Sequence, residues 1–207
     1  ELFVDSWEIK HLSDGSMVEE LIGKTQMIEE SSLLYLGHVL SKDGNNMPNI
    51  TQKRNKSIST QKQIVKLVEP HDLYTFQSAF IFIESLLRSR ILYASETMVN
   101  IKELEYRAIE QIEESVIQKI MKTTRSCSRH LLYLETGMIP ARFQIQRQVL
   151  NLLQYILQQP TESSLFKVFK ALENHPTRNN WLSGAKEVLQ TFEIYLTIEE
   201  IQFIKPS

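Results

Sequence analysis

The sequence predicts an α+β protein, mostly α, with a small antiparallel β-hairpin region at its N-terminus followed by a multi-helix bundle. Three observations carry this. Residues 1 to 40 break into short β-type runs separated by turn signals. From about residue 51 onward, apolar residues recur every three or four positions. Pro70, Gly137, Pro140, Pro160 and Pro176 then punctuate the helical part into lengths ordinary for bundle helices. With 207 residues, 42% apolar and 23% charged, the chain has the composition of a globular protein able to bury a core.

The β-type runs are Leu2-Phe3-Val4, Trp7 to Leu12, Met17 to Ile22, and Leu33 to Leu40. Ser13-Asp14-Gly15-Ser16 reads as a hairpin turn between two of them. The stretch "LLYLGHVLSKDG", residues 33 to 44, reads as a buried strand whose turn is Asp43-Gly44. Gly37 then lies inside a strand, where glycine marks a bulge or a close approach by another backbone or a ligand.

Each helix has its own pattern. Ile58, Ile64, Val65, Leu67 and Val68 make the apolar face of a first helix over 51–68, stopped by Pro70. Asp72 caps a second, running to about Ala94. It is apolar nearly all round (Phe76, Phe80, Ile83, Leu87, Ile91 and neighbours), which predicts a central, buried position. Ile101, Leu104, Ala108, Ile112, Val116 and Ile120 define a third. A break follows at Thr123 to Ser128, then a leucine-rich helix from Ala141 to Gln158 and further helices near 162–174, 179–193 and 198–204. Leu150, Leu153 and Leu157 need a cover from this chain, from a missing part of a longer chain, or from a partner.

Most candidate chemistry fails on spacing. Gly23-Lys24-Thr25 resembles the tail of a phosphate-binding loop, but Val18 stands where that loop needs its first glycine. A kinked strand is the better reading. His11, His38, His71, His130 and His175 are too scattered to form a metal motif. Cys127 is a lone thiol beside Arg125 and Arg129, with no base indicated. Glu110, Glu113 and Glu114 share part of a helix face without the histidine companions of a carboxylate metal site, so a solvated face is expected. Asn49-Ile50-Thr51 and Asn55-Lys56-Ser57 match the glycosylation sequon by chance composition. No apolar run approaches the roughly 20 residues that cross a bilayer, so no membrane is expected. The opening Glu1-Leu2-Phe3-Val4, without a Met or a basic-then-apolar leader, predicts a piece of a longer intracellular chain, nuclear or cytoplasmic, with no signal peptide.

Charge is more informative. Net charge is −2, yet residues 1 to 30 hold eight acids and two bases, while 51 to 68 hold five bases and no acid. Lys56, Lys62 and Lys66 fall away from the apolar face of that helix, and Lys53 and Arg54 lie in its first turn. A helix with a dry side and a cationic side suits a phosphate backbone, which attracts it and releases counterions on contact. The plain alternative is a solvated basic face.

The order of these pieces resembles one family. "YLG", a "DG" turn, a basic helix and an apolar helix look like the end of the palm and the start of the thumb of non-LTR retrotransposon reverse transcriptases. "SCSRHLLYLETGMIPARFQIQRQVLNLLQYILQQP" and "HPTRNNWLSGAKEVLQTFEI" are similar to the region after that thumb. The likeness covers roughly residues 33 to 194 and implies three units: a β-rich end of the palm over 1–50, thumb-like helices over 51–125, and a helical C-terminal region over 126–207. Tyr35, Leu36 and Gly37 match the primer grip, the hairpin that lies against the primer backbone. The implied partner is an RNA or RNA–DNA template–primer, contacted by Lys53, Arg54, Lys56, Lys62 and Lys66, together with an upstream palm and fingers segment. The chain departs from the family in three respects: it contains no Tyr-x-Asp-Asp, it carries no nucleotide-binding fingers, and its 13-to-32 insert is more elaborate than the family's minimal hairpin. Two-metal phosphoryl transfer needs convergent carboxylates. The chain alone is therefore expected to be inactive, with no cofactor of its own and Mg2+ only in a full polymerase. The rival expectation is a domesticated or decayed copy that serves as a helical protein-interaction module.

Overall fold

The computed structural model describes residues 2–11, 17–27, 32–41, 44–68, 76–124, 126–174 and 180–193. Two antiparallel ladders open the chain. Strands β1 (Leu2–His11) and β2 (Met17–Met27) pair from Leu2↔Met27 to His11↔Met17, with a bulge where Ser6↔Gly23 gives way to Trp7↔Leu21. Gly23-Lys24-Thr25 is thus an irregular strand, as the missing first glycine implies. Strands β3 (Ser32–Tyr35) and β4 (His38–Ser41) form a second ladder, Ser32↔Ser41 to Tyr35↔His38.

That second ladder corrects the reading of 33 to 40 as one strand. The chain reverses at Leu36-Gly37, where both residues have positive φ (46° and 84°). Two central residues with φ above zero are the signature of the tight I′ hairpin turn, whose twist matches that of its strands. Gly37 is there for its backbone angle. A Cβ built on it would meet only the Tyr93 ring, at an ordinary 3.9 Å.

Helix α1 (Met47–Val68) begins four residues earlier than the apolar pattern indicates. Asn45 Oδ1 accepts the Met47 N–H at 2.9 Å, and Pro48 fits a first turn that needs no amide donor. Its buried stripe is Asn49, Ile50, Lys53, Ser57, Thr60 and Ile64, a largely polar set at helical spacing. Ile58 and Leu67, expected inside, are exposed, because this stripe turns them to the flanks.

Asp72 lies outside the described residues. The next helical stretch is α2 (Phe76–Phe82), a π-helical turn (Ile83–Arg88) and α3 (Ser89–Ile91). It buries Ala79, Ile83, Leu87 and Ile91, while Ile81 is 64% exposed. The expected all-round burial therefore gives way to one buried stripe. A 3₁₀ turn (Ser95–Thr97) leads to α4 (Glu103–Ile120), whose Glu105 accepts the backbone N–H of Lys102 at 2.7 Å and of Asn46 at 3.0 Å. The break at 123–128 is followed by α5 (Arg129–Thr136), a short helix that the spacing did not reveal, closed by Gly137 at φ 65°. Then come α6 (Ala141–Leu157), α7 (Ser164–Asn174) and α8 (Trp181–Thr191). The segment 198–204 lies outside the described residues.

The described chain is thus α+β and mostly helical. One core gathers Ile50, Ile64, Ile83, Leu87, Ile109, Val116, Leu132 and Ile145. It draws on both sides of residue 125. A second joins Val149, Leu153, Leu157, Phe169, Leu182 and Val188. Helix α6 serves both, and Leu153 and Leu157 are covered by this chain's own α7 and α8. Among the described residues, no helix is long and apolar enough to cross a membrane.

Candidate nucleic-acid interface

The β3–β4 hairpin is fixed to the helices at three points. The Tyr93 hydroxyl donates to the Leu36 carbonyl at 3.0 Å. The Val39 N–H donates to Asn49 Oδ1 at 3.3 Å, and Asn49 Nδ2 meets the His38 ring at 3.3 Å. Asn49 is fully buried, so the first glycosylation sequon is sealed inside the fold. Burial, and then the charge of Lys53, push the His38 pKa down.

Between hairpin and helices lies a cleft of about 380 Å³, lined by Gly37, Lys53, Lys56, Ser89, Arg90 and Tyr93. It has three cations and no carboxylate. Lys56 and Arg90 are exposed, and Arg90 Nη1 donates to the Lys56 carbonyl at 3.2 Å. Neither Arg90 nor Tyr93 was nominated from the sequence. They lie more than thirty residues beyond Lys56, and no local spacing links them to it.

The five bases of α1 separate on the helix. Lys53 is a correction: it is 4% exposed, and its ammonium donates to the carbonyls of Ile91, at 2.9 Å, and Tyr93. It ties α1 to the end of α3, because its position falls on the buried stripe and not in a frayed first turn. Burial pushes its pKa down to about 8, with Glu96 opposing and Lys56 adding to the shift. Lys56 faces the hairpin cleft. Arg54 occupies the opposite flank, toward α4. Lys62 and Lys66 are exposed. Tyr35 pairs with His38 across the hairpin, and Leu36, at its tip, is 74% exposed.

The acidic face of α4 also departs from expectation. Glu110 and Glu113 are buried. Glu113 accepts Arg88 Nε at 2.7 Å and the Tyr133 hydroxyl at 3.2 Å, while Arg88 also reaches Glu84 and the Ile139 carbonyl. Glu110 accepts Arg129 at 2.7 Å and Arg142 at 2.6 Å; Arg142 also binds Glu103. Burial, then Glu110, push the Glu114 carboxyl up to about 7. These carboxylates are clamped by arginines from three other helical segments, so they hold the fold together. Among the described residues, no group of three or more His, Cys, Asp or Glu is placed to hold a metal ion. His130 is exposed, and Cys127 is half-buried with its thiol 3.8 Å from the Ser128 carbonyl.

What remains for recognition is a cationic surface with one apolar hairpin tip. Its cations are spaced along a rigid helix and have no catalytic carboxylates among them, which suits binding of an extended anion. Comparison with protein-family models, with curated proteins and with solved structures finds no match for this chain.

Proposed function

We propose that this chain is a palm–thumb segment similar to those of non-LTR reverse transcriptases, and that it grips an RNA–DNA template–primer. The observation that carries the reading is the cleft between the Leu36-Gly37 turn and α1. There a hairpin resembling the primer grip stands beside Lys56 and Arg90, with no carboxylate in the lining. Contacts of this kind read the backbone and not the bases, so binding is sequence-tolerant. The chain holds and positions nucleic acid; among the described residues no carboxylate cluster is placed for two-metal chemistry.

The test is binding of an RNA–DNA hybrid over a salt series with Lys56, Lys62 and Lys66 replaced by glutamine. Glutamine keeps helix propensity, so circular dichroism should be unchanged. If each lysine neutralises one phosphate, the slope of log affinity against log salt falls by roughly two to three units. An unchanged slope in the folded variant refutes the reading. A second reading, a protein-interaction module, is favoured by the exposed hairpin leucines Leu33, Leu34, Leu36 and Leu40.

A further inference from the structure

We propose that α5 is a proton-controlled latch: a proton on Glu114 of α4 holds this short helix on the core, and loss of that proton lets it swing away. The latch involves none of the hairpin-cleft residues and does not depend on the nucleic-acid reading above.

The build of α5 suits release. It is eight residues long and hangs between two interruptions, the break at 123–128 and Gly137 at φ 65°. Its buried side chains are Leu132 and Tyr133, while Leu131 and Leu134 are 51% and 75% exposed. Elements with so little buried apolar surface open well before the whole protein unfolds. Polar bonds to α4 supply much of the hold. Arg129 Nη1 donates to Glu110 Oε2 at 2.7 Å, and the Tyr133 hydroxyl donates to Glu113 Oε2 at 3.2 Å.

Glu114 sits one turn beyond Glu110 in this joint, and its carboxylate is not matched. Its Oε1 is buried without a hydrogen bond, and Arg129 Nε stands 3.6 Å away, beyond hydrogen-bond reach. The cations around the joint are engaged elsewhere. Arg88, from the π-helical turn, is held by Glu113 and Glu84. Arg142, from α6, is held by Glu110 and Glu103, and Arg129 by Glu110. Arg107, on α4 itself, keeps a buried Nη1 without a partner. His130 of α5 lines the same seam, a cavity of about 200 Å³ shared with Glu110, Arg129 and Arg142. Arg125 lies outside the described residues.

Glu114 is therefore better seated neutral than charged. Burial, then the charge of Glu110, raise its pKa from the ordinary 4.5 to about 7, with Arg107 opposing and Glu113 adding. Once α5 swings away, water reaches the carboxyl and its pKa returns toward the ordinary value. The seated form then binds more protons between those two values. The hold is strongest below 4.5, weakens as pH rises toward 7 and is level above. At tenfold per unit, the opening constant of α5 spans at most about 300-fold.

The test is hydrogen–deuterium exchange of the whole chain at pH 5, 6, 7 and 8, corrected for the intrinsic pH dependence of exchange. The peptide carrying α5 is compared with the second half of α6. Opening of α5 should rise by roughly tenfold or more from pH 5 to 7 and level off by pH 8, with α6 unchanged. Glu114→Gln, permanently neutral, should stay at the low-pH level throughout, and His130→Asn should keep the parent's rise. A flat parent, an equal rise in Glu114→Gln, or a rise lost in His130→Asn overturns the latch. Should Glu114→Gln fail to fold, the NMR titration of the Glu114 carboxyl carbon in the parent decides. A midpoint near 7, where opening levels off, upholds the latch, and a midpoint in the ordinary carboxylate range overturns it.

Discussion

The Tyr93 hydroxyl donates to the Leu36 carbonyl at 3.0 Å across 57 residues of sequence, so one phenol fixes the tip of the β3–β4 hairpin to the end of the α2–α3 segment. Lys53 strengthens the same corner from below, by holding the carbonyls of Ile91 and Tyr93. These bonds join the hairpin, α1 and α3 at one corner of the cleft between them.

Tyr93→Phe removes this tether and keeps the ring. At a half-exposed site the loss should be about 0.5–1 kcal/mol, and amide exchange at Val39 and Leu40 should quicken more than exchange in α4. Gly37→Ala should cost about 1 kcal/mol or more through its left-handed angle, although the added methyl meets nothing closer than 3.9 Å. Exchange unaltered by either change would show that the turn is held by other means.

Lys53 sets a pH dependence of known sign. Its pKa is about 8 in the folded protein, against the ordinary 10.5. Between those values the unfolded chain binds more protons than the folded one, so stability from this group rises with pH across about 8 to 10.5 and is flat below. At about 1.4 kcal/mol per unit, the full span is roughly 3 kcal/mol. Lys53→Met leaves two carbonyls without their donor and should be less stable at pH 7.5, but it should lose this rise. Urea midpoints of both proteins at pH 7.5 and 9.5 make the comparison, and parallel trends would contradict the assignment.

Arg88 and Glu113 form a buried pair, 2% and 0% exposed in their side chains. Arg88→Met leaves the Glu113 carboxylate with only the Tyr133 hydroxyl and should cost about 3–5 kcal/mol. Adding Glu113→Leu should recover most of that loss, because the uncompensated charge is gone. A double-mutant cycle from denaturant unfolding measures the coupling. Additive losses would mean that the pair is not the unit described.

Gly184→Ala sets helix propensity against packing. Within α8 the exchange should add up to about 1 kcal/mol. The new Cβ, however, would lie 2.5 Å from Val99 Cβ, 2.7 Å from Asn100 Oδ1 and 3.1 Å from Asn100 N. Overpacking of that kind costs about 1–3 kcal/mol, so packing wins and the melting temperature should fall.

The fold class and the succession of helices were legible because apolar spacing and proline record them locally. The Ala141–Leu157 helix came out within one residue for that reason. Helix α5 did not, because an eight-residue helix bearing Leu132 and Tyr133 as its buried pair has too little periodicity to stand out. The buried stripe of α1 was misjudged since it is built from Asn49, Lys53, Ser57 and Thr60, polar residues whose partners lie in β4 and at the end of α3. The same limit hid the carboxylates of α4: Glu110 and Glu113 look solvated until Arg88, Arg129 and Arg142 arrive from elsewhere in the chain. Of the cationic surface, the run of bases was plain in the sequence. That Lys53 turns inward, while Arg90 and Tyr93 complete the cleft, follows from tertiary packing alone.

The most direct measurement is photocrosslinking of the intact chain to an RNA–DNA hybrid with photoreactive groups on the primer backbone near its 3′ end, mapped by mass spectrometry. The account predicts adducts at the Leu36-Gly37 turn and in the peptides carrying Lys56 and Arg90. Crosslinks confined to residues 141–193, with none at the hairpin or α1, would contradict it.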